Sequence, residues 1–162
     1  MRGLSFTAGG ELFAVDVTLV QKVARNMSVT PVPTAPDTVV GITNMKGRIV
    51  TILSLAALLG RSRDKAQHAH AVIFKPFTEG NDQMGLLIDK PGALIDISED
   101  QILPPPITAG NDGELYISGI GEVDRELYRV INVDLIFNQF IYGSENPVAA
   151  MSQEGIDGEG NA

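Results

Sequence analysis

Apolar residues in this chain come in short alternating runs, broken by glycine and proline every roughly 8–12 residues, the spacing of a strand-and-turn protein. Leu4 and Phe6, then Leu12 and Ala14 or else Phe13, Val15 and Val17, alternate around Gly9-Gly10 and predict a hairpin. Val17, Val20 and Val23 fit either a strand or a short helical turn, and spacing alone leaves both open. Thr30 to Pro36 carries three prolines, each removing a ladder donor, so it is an extended connector. The stretch from Gly41 to Gly60 predicts strand, tight turn at Lys46-Gly47-Arg48, strand over Ile49 to Leu53, and a brief helix. Ser54 is a good N-cap for that helix, and Gly60 suits a left-handed close.

The polar run from Arg61 to His70 predicts a linker loop. Strands then follow over 71–76 and 84–89, around the turn cluster Thr78 to Gln83. A further strand, 93–97, lies past a break at Pro91-Gly92, and a short turn at Ser98 to Gln101 follows it. Pro104 to Pro106 is a stiff connector and Asn111-Asp112-Gly113 a loop. Strands are predicted over 115–120 and 127–133, and a final helix over 134–142.

The central stretch recurs. Shifted by 78 residues, Gly41-Ile42 falls on Gly119-Ile120 and the turn Lys46-Gly47-Arg48 on Asp124-Arg125-Glu126. Ser54 falls on Asn132, another N-cap type. Upstream, Phe13 to Asp16 resembles Leu86 to Asp89, and Thr30 to Pro33 resembles Leu103 to Pro106. Their common order points to an internal duplication with a period too long for a solenoid.

Charge and composition narrow the function. The chain is acidic, with a net charge of -8, and few residues are aromatic, which argues against general nucleic-acid binding. From Gly143 onward there are four acids (Glu145, Glu154, Asp157, Glu159) and no base, so 144–162 is expected to be a disordered acidic tail. No apolar run is long enough to span or insert in a membrane, no signal peptide is read, and the absence of cysteine fits a reducing cytoplasm. It also excludes thiolate chemistry.

Candidate chemistry is sparse. There is no P-loop, GxSxG or HExxH pattern. A carboxylate pair among Asp16, Asp89, Asp96 and Asp134 stays open, but the sequence does not converge them. His68 and His70 would share a strand face, yet a metal needs further ligands and their polar surroundings favour a solvated loop. Gly119-Ile120-Gly121 has Asp124 where a phosphate-binding loop needs its third glycine. Arg61, Arg63 and Lys65 read as a soluble loop face. No cofactor, metal or catalytic residue is expected.

At this point the chain resembles the CheW family of bacterial chemotaxis coupling proteins. The carrying residues are Phe13 to Asp16 with Val20 and Val23 behind them, Val32-Pro33 with Ala35-Pro36, and Gly41 to Gly47. In the second half they are Gly85 to Asp89, Gln101 to Pro106, Tyr116 to Gly121 and Val130 to Asp134. The resemblance covers residues 4 to about 141.

It implies a mainly β fold of two pseudo-symmetric five-stranded SH3-like barrels with a few short helices. These form one domain over 1–143 built of two intertwined subdomains, with repeat halves at about 12–60 and 71–137. It implies a non-enzymatic cytoplasmic adaptor, recruited to membrane receptor arrays, that couples the cytoplasmic tips of chemoreceptors to the regulatory domain of a CheA-type histidine kinase. That domain shares the fold and pairs with the adaptor in rings. The receptor-binding residues expected on this basis are Val20, Lys22, Val23, Lys46 and Leu94; no kinase-binding residue is assigned.

Three departures stand out. The family usually has arginine where Lys46 stands, often an acid where Lys22 lies, and often Asp-Leu with charged residues in place of Ser54 to Ala57. Lysine keeps the charge but loses the planar fork of arginine. These departures leave room for an adaptor of a related pathway, such as one controlling twitching motility. A small-ligand-binding barrel is the remaining alternative, disfavoured because barrels this small fill with side chains.

Overall fold

The computed structural model describes residues 1–61, 68–76, 82–105 and 115–142. Most of the expected 61–70 and 78–83 loops, the 111–113 loop and the acidic segment from 143 on lie outside them. Ten strands alternate with short helical pieces. They are β1 (Arg2–Ala8), β2 (Glu11–Asp16), a 3₁₀ turn (Val17–Leu19), β3 (Val20–Ser28), β4 (Val39–Met45), β5 (Arg48–Ser54) and α1 (Leu55–Leu58). Then come β6 (His68–Phe74), β7 (Met84–Ile88), β8 (Lys90–Asp96), a second 3₁₀ turn (Glu99–Gln101), β9 (Ile117–Val123), β10 (Glu126–Ile131) and α2 (Val133–Tyr142).

The strands form two five-stranded sheets, ordered β8-β1-β2-β10-β9 and β3-β6-β7-β5-β4. Replacing each strand of the first half by the one five places later turns one order into the other. The first two strands of each half therefore sit in one sheet and the last three in the other. The halves are joined by two equivalent parallel pairings, β10 with β2 and β5 with β7, among otherwise antiparallel neighbours.

Each sheet is closed at its seam by one bridge between segments flanking its edge strands. Thr30, after β3, exchanges hydrogen bonds of 2.8 and 2.9 Å with Ile42 on β4. Leu103, after β8, exchanges bonds of 2.9 and 2.8 Å with Ile120 on β9. This closure explains the repeated Gly-Ile pair. A Cβ on Gly41 would lie 2.3 Å from the Thr30 carbonyl oxygen, and one on Gly119 would lie 2.7 Å from that of Leu103. Only glycine lets the backbones approach that closely.

The main core lies between the sheets and takes side chains from both, including Phe6, Phe13, Val39, Leu53, Phe74, Leu86, Ile117 and Ile131. Both helices pack into it through Leu55, Leu58, Val133, Ile136, Phe137 and Phe140. A smaller cluster fills each sheet's own interior: Val50, Ile52, Ala71 and Ile73 in one, Ala14, Ile97, Tyr128 and Val130 in the other. Runs such as Ala71 to Phe74 are apolar at every position because alternate residues serve the interior and the inter-sheet core.

The expected caps are present. Ser54 Oγ accepts from Ala57 N at 3.1 Å, and Asn132 Oδ1 accepts from Leu135 N at 3.1 Å, again 78 residues apart. Ser98 makes no such bond. Gly60 has the expected positive φ of 79°. At the break near Pro91, the ladder between β1 and β8 shifts register; the Ser5 hydroxyl spans the gap, accepting from Ala93 N at 2.9 Å and reaching its carbonyl at 3.0 Å. Arg61 forks onto Glu11 at 2.6 and 2.9 Å and ties the first hairpin to the end of α1.

One expectation needs correction, and one open reading is resolved. The loop read over 61–70 ends early, because β6 begins at His68. Val17 to Val23 is neither all strand nor all helix. A 3₁₀ turn capped by Asp16 runs into β3, whose pairing with β6 shifts register between Val20 and Lys22 and between Ala24 and Met27.

Candidate functional site: a basic groove and its acidic counterpart

Beyond each seam bridge the sheet edges part and leave a notch. In the β3–β7 sheet the notch lies between β3 and the β4–β5 hairpin, with a volume of about 780 Å³. Gln21, Lys22, Met27 and Ser28 line one side, and residues 43–46 with Arg48 line the other. Its floor is Ile73 and the buried Gln83, whose side-chain nitrogen donates to the Phe74 carbonyl at 2.9 Å and to Gln21 Oε1. Thr43 Oγ1 donates to the Ser28 carbonyl at 2.9 Å and fixes the closed end.

The rim owes its shape to the hairpin turn. Lys46 and Gly47 both have positive φ, 55° and 82°, the two-residue turn whose twist matches the flanking strands. Asn44 Oδ1 accepts from Gly47 N at 2.9 Å and locks the tip. Lys46 is thereby held at the hairpin apex. Lys22, Lys46 and Arg48 are exposed, form no ion pair among the described residues, and share the lining with no acid. In an acidic protein this is a local reversal of charge.

The second notch, about 560 Å³, stands at the equivalent place in the other sheet. Asp96, Gln101, Leu103, Ile120 and residues 122–125 line it, with Leu127. Its hairpin tip, Asp124-Arg125, adopts the same turn, with φ of 51° and 69°. Here Glu122, Asp124 and Asp96 outweigh Arg125, and Leu103 and Leu127 are 65% and 62% exposed. One backbone design thus presents a basic, methionine-lined notch and an acidic one flanked by leucines.

The five residues expected to bind a receptor do not form one site. Lys22 and Lys46 meet across the basic groove. Val20 and Val23 are half-buried and pack instead on the inter-sheet core. Leu94 lies on β8 in the other sheet and is 51% exposed, a surface residue and not a core one. Sequence reasoning missed Arg48, Met27 and Met45 as lining residues; the alternation of β3 could have pointed to Met27 but for the bulges that reset it. It also missed the acidic notch, although Asp124 standing where Lys46 recurs was a visible signal.

His70 takes another part. His70 Nδ1 accepts from the backbone N–H of Asn26 at 3.2 Å, at the bulge in β3 where Asn26 has φ of 51°. No group of three or more potential metal ligands exists among the described residues, and no described helix is long and apolar enough to cross a membrane.

Comparison with known proteins agrees with this architecture. The family model described as "CheW-like domain" matches residues 2–140. The chemotaxis protein CheW of Klebsiella aerogenes is 25% identical over 135 residues, covering 83% of this chain and 80% of that one. CheW of Rhizobium meliloti is 24% identical over 134 residues, covering 83% and 85%. Among solved structures, the scaffolding protein TtCheW from Thermoanaerobacter tengcongensis superposes with a TM-score of 0.69 at 26% identity, covering 81% of this chain and 88% of that one. Strands exchanged between two halves and a family match running from the first strand to the last helix make one assignment: the chain belongs to the CheW-like domain family of chemotaxis scaffold adaptors, which are not enzymes.

Proposed function

We propose that the protein couples chemoreceptors to a CheA-type histidine kinase, working in the cytoplasm at membrane receptor arrays. The observation that carries this reading is the pair of equivalent notches with opposite charge, because an adaptor needs two faces that do not compete for one partner. The basic groove suits an acidic segment of a receptor's cytoplasmic tip, with Lys22, Lys46 and Arg48 as steering charges and Met27 and Met45 as adaptable apolar contacts. Val20 and Val23, half-buried against the inter-sheet core, and Leu94, exposed on the other sheet, serve as further apolar contacts away from this groove. The whole arrangement is one domain over 1–143 whose halves, about 12–60 and 71–137, act as two contact units. Each contact is modest, and array avidity supplies the affinity.

The test is a coupled kinase assay with receptor-bearing membranes. Native protein raises receptor-dependent kinase activity, and Lys46→Glu lowers receptor co-sedimentation. A pull-down from native cytoplasm that recovers neither a histidine kinase nor a receptor overturns the reading. Lys46, where the family usually carries arginine, favours as a second reading an adaptor of a related pathway such as twitching motility. The same assay separates the two by which receptors respond.

A further inference from the structure

We propose that the chain's own acidic segment, residues 143–162, docks back into the basic groove between β3 and the β4–β5 hairpin, so that a partner must displace it. This rests on reading that groove as a partner-binding surface.

Charge selects the occupant. The groove gathers Lys22, Lys46 and Arg48 with no acid in its lining, and no described residue pairs with any of the three. The segment carries Glu145, Glu154, Asp157 and Glu159 with no lysine or arginine. Among those acids stand Val148, Met151 and Ile156, apolar groups of a size to meet Met27 and Met45. Shape alone would not choose between the notches, since both stand beside the same turn. The acidic notch, with Asp96, Glu122 and Asp124, repels the segment, so of the two notches the basic one suits it.

Reach is sufficient. The segment follows the end of α2 at Tyr142, and its residues extended would span at most about 70 Å. A domain of this size is roughly 40 Å across. Because the ligand is tethered, its effective concentration is in the millimolar range, so a weak, largely electrostatic contact populates the docked state. Such a contact fades as salt shortens the Debye length.

The chain lacks cysteine, so Ser152→Cys gives a single nitroxide attachment point on it. At low salt, amide signals of Lys22, Met27, Met45 and Lys46 are expected to broaden selectively and to recover near 0.5 M salt, where the Debye length is only about 4 Å. The Lys22→Glu, Lys46→Glu, Arg48→Glu triple variant, all at exposed positions, loses the broadening. A mixture of isotope-labelled unmodified chain with spin-labelled unlabelled chain shows none, which places the contact within one molecule. Broadening spread evenly over the surface, absent from the groove, retained in the triple variant or present in the mixed sample overturns the proposal.

A second measurement does not depend on the reversed groove. Neutralising the segment by Glu145→Gln, Glu154→Gln, Asp157→Asn and Glu159→Gln should tighten binding of a receptor-tip fragment about threefold, the factor for a groove occupied about two-thirds of the time. No change in affinity overturns the docking. A chain with no groove broadening whose receptor binding still depends on Lys46 refutes the docking and leaves the adaptor function standing.

Discussion

The hairpin tips at Lys46-Gly47 and Asp124-Arg125 have one backbone and opposite chemistry. Both are two-residue turns with positive φ at each position, both cap a notch, and both follow a strand whose glycine passes under a bridging carbonyl. Yet one tip is cationic beside methionines and the other is anionic beside exposed leucines. The turn, the glycine and the cap are demanded by geometry and so recur in both halves. The rim side chains face solvent, carry little folding energy, and are free to diverge into different contact chemistries.

The strongest way to break the comparison is at its shared geometry. Gly41→Ala puts a Cβ 2.3 Å from the Thr30 oxygen and should cost about 3 kcal/mol, read as a lower denaturant midpoint. Gly119→Ala should cost a similar amount; if either is silent, the seam bridge is not what holds the sheet closed. Next comes the chemistry. Lys46→Glu should weaken receptor binding about tenfold, about 1.4 kcal/mol, whereas Asp124→Lys at the equivalent tip should leave it unchanged. Equal losses from both would erase the distinction between the two faces.

The caps come third. Ser54→Ala and Asn132→Ala should each lower stability by about 1 kcal/mol in thermal or chemical unfolding, since each strips a first-turn N–H of its acceptor. The turn residues sharpen the comparison further. Arg125 holds φ of 69° where the other tip has glycine, so Arg125→Gly should stabilise by roughly 0.5 kcal/mol, relief of left-handed strain exceeding the added chain entropy.

The smallest effect is the Glu11 ion pair. The hydrogen-bonded Arg61 guanidinium holds the Glu11 carboxyl below its ordinary 4.5, against the opposing push of partial burial. A depressed carboxyl contributes stability that is full above the unfolded value and lost as pH falls through the folded one. Both partners are well exposed, so the loss below pH 4.5 should stay within about 0.5 kcal/mol and shrink with salt. Acid titration of native protein against Glu11→Gln measures it.

Much of the local structure was legible. Ser54 and Asn132 read as caps because their side chains satisfy a purely local need, and the Gly41-Ile42 echo at Gly119-Ile120 read as part of a duplication, though not as the seam of each sheet. The resemblance implied intertwined halves, but which strands are exchanged between the sheets was not legible. The two parallel pairings join β2 to β10 and β5 to β7 across connections whose composition carries no trace of the partner. The candidate site was half legible. Lys22 and Lys46 were named, but period-two reasoning along β3 fails at its two register shifts, so valines three apart share one face while Lys22 turns to the groove. His70 looked like loop because polar neighbours hid the start of a central strand.

The exchange of strands has a consequence for synthesis. As the chain emerges from the ribosome, β1 and β2 are made early but the rest of their sheet, β8, β9 and β10, is made last. The β3–β7 sheet can close from one continuous stretch, whereas β1 and β2 wait for β8 and β10 with open edges that invite association with other nascent chains. Translation speed and chaperone cover over that interval, more than the stability of the finished protein, then govern how much of it reaches its working form.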